Sequence, residues 1–170
     1  MTLLRQGSEG QALRSPGAEA GLKLDSYLPY RLSVASNAVS GLIARAYEDR
    51  FGLTVPQWRL ICVLAEDGGL TQVQIVARTV MDKVTVSRAA QGLLKRGLVL
   101  RSEHHADGRS HVLALTDEGR ALHAEIAPLA LAYEAALIAG LAPEDVSLLK
   151  RLLSRLQSAA GQLSGEPTRL

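Results

Sequence analysis

The chain has 170 residues, 47% of them hydrophobic and only 4% aromatic, with one cysteine and a net charge of +2. A core of Leu, Val, Ile and Ala favours packed helices over a β-sandwich, and a single cysteine excludes an internal disulfide framework or a cysteine-rich zinc site. The first twenty residues carry Arg5, Glu9, Arg14 and Glu19 without a continuous apolar run, unlike a secretory signal, and no apolar stretch approaches the roughly 20 residues of a membrane span. A reducing cytoplasmic setting is therefore expected.

Residues 1–23, with glycines, serines and a proline but no periodicity, are expected to be a flexible tail, as are residues 164–170. A long helix is predicted from Asp25 or Ser26, either of which can cap it, to about residue 51. Pro29 falls in its first turn, and Leu28, Leu32, Ala35, Val39, Leu42 and Ala46 form its apolar stripe. Gly52 is placed to end it, with Leu53 closing over the end. Thr54 caps the next helix, whose inner face is read as Trp58, Ile61, Leu64 and Ala65, and Asp67-Gly68-Gly69 stops it.

Thr71 then caps a short helix carrying Val73, Ile75 and Val76. Asp82 caps another, running to about Arg96, with Val86, Ala89, Ala90, Leu93 and Leu94 facing inward and Gly97 as the stop. Leu98–Leu100 and Val112–Leu115 read as strands. The Asp107-Gly108 pair gives a turn signal between them, within a loop of about ten residues. Thr116 caps a helix running towards Ala139, with Pro128 as the place where it can bend. Pro143-Glu144-Asp145 opens a last helix striped by Val146, Leu149, Leu152, Leu153, Leu156 and Ala160.

The order of helix, helix and two strands from Thr71 to Thr116 is that of a helix-turn-helix with a β-hairpin wing. Charge follows it: Lys83 to His111 holds six basic residues against two acidic ones, a net +4, which leaves −2 for the rest of the chain. Such a basic face on a near-neutral chain suits phosphate contact. A recognition helix presents its N-terminal turns to base edges. Lys83, Val84, Thr85, Ser87 and Arg88 occupy those positions here, Val84 suited to a thymine methyl and Arg88 to a guanine edge. Lys95 and Arg96 lie further along and suit phosphates. At the wing tip Arg109 can enter a narrow minor groove, with Asp107 holding its guanidinium. The plainer reading, a solvated helix face and a turn-forming aspartate, is weakened by the two features occurring side by side.

The stretches VPQWRLICVLAE (55–66), TQVQIVARTVMDKVTVSRAAQGLLKRGLV (71–99) and DGRSHVLALTDEGRAL (107–122) resemble the MarR family of winged-helix transcriptional regulators. The resemblance spans about Leu24 to Leu163. It departs from the family pattern in the tip glycine Gly108 and in the paired histidines before it. It implies a mainly α fold with a small β-hairpin wing: one domain over 24–163, with the winged helix-turn-helix at about 54–116. Dimerisation helices would lie at about 25–51 and 116–163. It implies a homodimer on a double-stranded, pseudo-palindromic operator and a small-molecule effector, with repression as the default and no cofactor.

For the effector, the resemblance points between the dimer helices and the DNA-binding lobe. Tyr27, Tyr30, Arg31, Asn37 and Arg45 on the first helix and Trp58 on the second offer a cation and aromatic walls for an aromatic acid or its CoA thioester. Core packing is the competing role for Trp58. Cys62 as a redox sensor and His104, His105 and His111 as metal ligands are alternatives: the first sits among apolar neighbours, and the others lack helical ligand spacing. No phosphate loop, His-Glu-x-x-His or nucleophile elbow supports an enzyme. A winged helix used only for protein contact remains the alternative of another class.

Overall fold

The computed structural model describes residues 21–104, 107–163 and 165, with the backbone alone for 104 and 107–110. The expected tails at 1–20 and beyond 163, Gly165 apart, lie outside the described residues. The chain divides into two units within its first long helix, between Val39 and Ser40. In the first, a 3-10 turn at Leu24–Ser26 precedes helix α1 (Leu28–Phe51). The helix thus starts later than expected. The Ser26 hydroxyl donates to the Lys23 carbonyl at 3.1 Å and so closes the 3-10 turn instead of capping α1. Every residue from 21 to 38 is exposed.

The second unit holds the rest of α1 and α2 (Val55–Asp67), β1 (Leu70–Thr71), α3 (Gln72–Thr79), α4 (Lys83–Lys95), β2 (Val99–His104), β3 (Asp107–Leu115), α5 (Asp117–Ile138) and α6 (Pro143–Leu163). This is the mainly helical winged architecture expected. Gly52 (φ 59°) ends α1, and the Leu53 N–H reaches back to the Tyr47 carbonyl at 3.3 Å. Thr54 starts α2 with a reciprocal cap: its N–H donates to Gln57 Oε1 at 3.0 Å, and the Gln57 N–H donates to its hydroxyl at 3.4 Å.

The core gathers Leu60, Ile61 and Leu64 of α2, Ile75 of α3, Val86, Ala89, Ala90 and Leu93 of α4, Val99, Leu113 and Leu115 of the sheet, and Ile126 of α5. Ala65 is exposed and Leu60 takes its place inside, because the buried face of α2 is turned towards α3, α4 and α5 at once. The sheet has three antiparallel strands in the order β1-β3-β2, one more than expected. Leu70 and Thr71 pair with Leu113 and Val112, a two-residue strand too short to leave a periodicity.

The hairpin is also longer than expected. Pairing runs from Val99↔Leu115 to His104↔Asp107, so Asp107 and Gly108 are strand residues rather than the turn of a ten-residue loop. Backbone ladder bonds carry β2 through Arg101, Ser102 and Glu103, all exposed, where an apolar pattern is silent.

Candidate nucleic-acid interface

Thr71 begins α3 with a second reciprocal cap, its N–H donating to Gln74 Oε1 at 2.8 Å and the Gln74 N–H to its hydroxyl at 3.3 Å. Because Thr71 is also a strand residue paired to Val112, the register of the wing fixes where α3 starts. Helix α3 is tied to α2 by Arg78, which donates to Asp67 at 2.6 Å and to Glu66 at 3.1 Å. Half-exposed pairs of this kind contribute little energy each, but two on one guanidinium fix its direction.

The turn into α4 is built without glycine. Val80 takes a left-handed conformation (φ 55°, ψ 24°) and is 88% exposed. A β-branched residue there carries about 1–2 kcal/mol of strain. Its neighbours hold it: the Thr79 hydroxyl donates to the Ile75 carbonyl at 2.7 Å and accepts the Met81 N–H at 3.4 Å, and Met81 is buried. Asp82 then caps α4, accepting the Thr85 N–H at 2.8 Å and the Thr85 hydroxyl at 2.5 Å. These bonds, the hydroxyl's first, hold the Asp82 carboxyl below its ordinary range.

Helix α4 buries Val86, Ala89, Ala90 and Leu93, the i, i+3, i+4, i+7 face. The opposite face leaves Lys83, Val84 (57% exposed), Arg88 and Lys95 in solvent, with Ser87 and Thr85 half-buried. The expected reading residues thus share one open face, except that the Thr85 hydroxyl is occupied by the cap.

Arg96 differs from expectation. Its Nη1 donates to the Gly52 carbonyl at 2.8 Å and its Nη2 to the Phe51 carbonyl at 2.9 Å. Those carbonyls end α1, where the helix leaves acceptors unpaired and its dipole is negative. The exposed guanidinium expected at a phosphate is therefore bonded to the chain's own backbone, by a partner 44 residues away that local sequence cannot reveal. Asp107 and Arg109 are strand residues of β3, but their side chains lie outside the described residues, as do those of His104 and His105.

The residues expected around an effector are distributed over the two units. Tyr27, Tyr30, Arg31 and Asn37 are exposed in the first. There the Arg31 guanidinium is 3.5 Å from the Asp25 carbonyl. In the second, Arg45 donates to the Gly41 carbonyl of its own helix at 3.3 Å. Trp58 is buried, with Tyr47 tilted against it at 5.2 Å and His123 of α5 stacked on it at 5.6 Å. Tyr47 and His123 were not singled out in the sequence, where neither carries a motif.

Cys62 is half-buried, and burial, with Glu66 as the lesser cause, pushes its thiol up to about 12. At neutral pH it is a protonated, weakly nucleophilic packing residue, which argues against redox sensing. Among the described residues no group of three His, Cys, Asp or Glu side chains is arranged to hold a metal ion.

Residues 51–110 match the MarR family. The chain is 34% identical over 104 residues to the HTH-type transcriptional regulator FarR of Neisseria gonorrhoeae, covering 61% of this chain and 71% of that one. A MarR family transcriptional regulator from Silicibacter pomeroyi superposes with a TM-score of 0.72 at 30% identity, covering 86% of this chain and 99% of that one. BpsR of Bordetella bronchiseptica, whose DNA binding is regulated by 6-hydroxynicotinic acid, superposes with a TM-score of 0.75 at 26% identity, covering 81% and 97%.

Proposed function

The chain belongs to the MarR family of transcriptional regulators, and on that premise we propose that it acts as a homodimeric repressor, released from a pseudo-palindromic operator by a small aromatic acid or its CoA thioester. It is a winged helix-turn-helix DNA-binding regulator rather than an enzyme. The observation that carries the operator reading is α4: its buried face anchors it in the core, and its N-terminal turns hold Lys83, Val84, Ser87 and Arg88 open to a groove. Arg88 reads a base edge, Lys83 and Lys95 contact phosphates, and Arg109, steadied by Asp107, enters the minor groove from the wing.

The homodimer reading rests on α5 and α6. Leu131 and Leu137 of α5 and Leu149, Leu152, Leu153 and Leu156 of α6 are all exposed in a single chain, and α6 buries no residue at all. So many exposed leucines on two helices call for a partner. Against the expectation that no apolar stretch approaches a membrane span, helix α5 is by length and composition apolar enough to cross one; the matching helices of a second copy are the cover proposed here, in a cytoplasmic dimer. The aromatic-acid effector is supported by BpsR, whose regulator is such a compound.

The test is binding of the full-length protein to operators enriched from random duplexes. Arg109→Ala should weaken affinity with the dimer intact. Arg88→Ala should reduce discrimination at one position by about 1–3 kcal/mol per half-site. Equal affinity of both variants and wild type for every duplex would refute the assignment.

A further inference from the structure

Residues 96–98 form a junction on which three elements converge. Helix α4 ends there in a left-handed glycine cap: the Gly97 N–H (φ 68°) bonds the Leu94 carbonyl at 3.1 Å, and the Leu98 N–H bonds the Leu93 carbonyl at 3.1 Å. Arg96 spans the Phe51 and Gly52 carbonyls at the end of α1. Thr116, at the start of α5, donates its hydroxyl to the Gly97 carbonyl at 2.8 Å and its N–H to the Leu98 carbonyl at 3.2 Å. Gly119, one turn on, lies so close to the Leu98 carbonyl that a Cβ would stand 2.1 Å from its oxygen. The C-terminal end of the recognition helix is thereby clamped to the ends of α1 and α5.

We infer that Arg96 is a positioning residue for operator recognition, fixing the angle at which α4 is presented by locking its C-terminal end to α1. The inference rests on the operator-binding homodimer proposed above.

Leverage gives the joint its importance. A helix of 13 residues is about 20 Å long, so a tilt of about 5° at Arg96 moves the reading end by about 1.7 Å. That is about half the ~3.4 Å rise of a base pair. Arg96 itself is exposed, so its two bonds add little to stability while deciding geometry. A planar fork is needed to hold two successive carbonyls; a lysine ammonium supplies the same charge without that geometry.

The experiment uses the full-length dimer and the enriched operator, with copies whose half-sites are one base pair closer or further apart. Arg96→Lys and Arg96→Met are compared with wild type by fluorescence anisotropy across a salt series, with melting curves as a folding control. Positioning predicts that both variants melt close to wild type, bind the best-spaced operator about tenfold more weakly, and lose at least about threefold of their spacing discrimination. The lysine variant keeps the wild-type salt slope.

Lysine restoring full affinity while methionine lowers the slope by about 0.9 per half-site, or about 1.8 for the dimer, would make Arg96 a phosphate contact and overturn the inference. Wild-type spacing discrimination in both variants would overturn it equally. A wild-type protein that enriches no two-half-site sequence would instead refute the operator reading, and the positioning role with it.

Discussion

Replacing Gly119 by alanine tests the junction between α4, β2 and α5 directly, because two effects of opposite sign compete there. In most helices the change stabilises, by about 0.8–1 kcal/mol, since glycine is the poorer helix former. At Gly119 the new Cβ would stand 2.1 Å from the Leu98 oxygen, 3.1 Å from its carbonyl carbon and 3.3 Å from Leu115 Cδ2. An ordinary carbon–oxygen contact is about 3.3 Å, so the carbonyl or the helix must give way by about 1.2 Å. The carbonyl is held by the Thr116 N–H and the helix start by the bond from the Gly119 N–H to the Thr116 hydroxyl at 3.0 Å, so neither moves freely. Overpacking of this kind costs about 1–3 kcal/mol or more. Taking the upper figure against the propensity gain leaves a net loss of about 2 kcal/mol, or about 4–8 °C in Tm for a chain of this size. The assay is thermal or urea unfolding at matched protein concentration, since a dimer's Tm depends on it. A Gly119→Ala variant as stable as wild type, or more so, would refute the close approach and the junction built on it.

Thr54→Ala should cost about 1 kcal/mol by removing the cap of α2, and most of that loss should persist in a Gln57→Ala background, because the Thr54 hydroxyl accepts from the Gln57 backbone N–H, which alanine keeps; a Thr54→Ala variant as stable as wild type in urea unfolding would count against the cap. With its thiol raised from 9.0 to about 12, Cys62 should be alkylated by iodoacetamide at pH 8 at least about tenfold more slowly than in the urea-unfolded chain, since the loss of thiolate outweighs the greater nucleophilicity of a higher-pKa thiolate. Equal rates would contradict its burial. The stability this protonated thiol contributes is present below pH 9.0 and declines as the pH climbs towards 12, so the alkaline limb of a stability profile should flatten in Cys62→Ala. Leu153→Glu puts a charge into the proposed α6 interface and should shift the mass measured by light scattering from dimer to monomer; an unchanged dimer would place the interface elsewhere.

The helical periodicities, the caps at Thr54, Thr71, Asp82 and Thr116 and the stops at Gly52 and Gly97 were legible in the sequence, since each is a bargain between residues no more than four or five apart. The outward residues of α4 followed from the same periodicity, for burying Val86, Ala89, Ala90 and Leu93 leaves Lys83, Val84 and Arg88 no other side. The length of the wing was not legible, because Arg101–Glu103 are exposed and only the backbone ladder makes them a strand. The same holds for β1, whose two residues become a strand only against β3.

By itself the sequence determined which segments are helices, which face of α4 is buried, and that two helices and a wing form a reading head; short-range hydrogen bonds and side-chain periodicity suffice for that. Tertiary structure alone decided the partners of groups that local spacing leaves equivalent. Lys95 and Arg96 are adjacent cations at the end of one helix, yet one faces solvent and the other spans the last carbonyls of α1. Trp58 is an aromatic on an amphipathic helix, and only the approach of α1 and α5 stacks it between Tyr47 and His123. In each case the deciding contact joins residues more than ten positions apart, and no local pattern encodes a distance that only the packed fold creates.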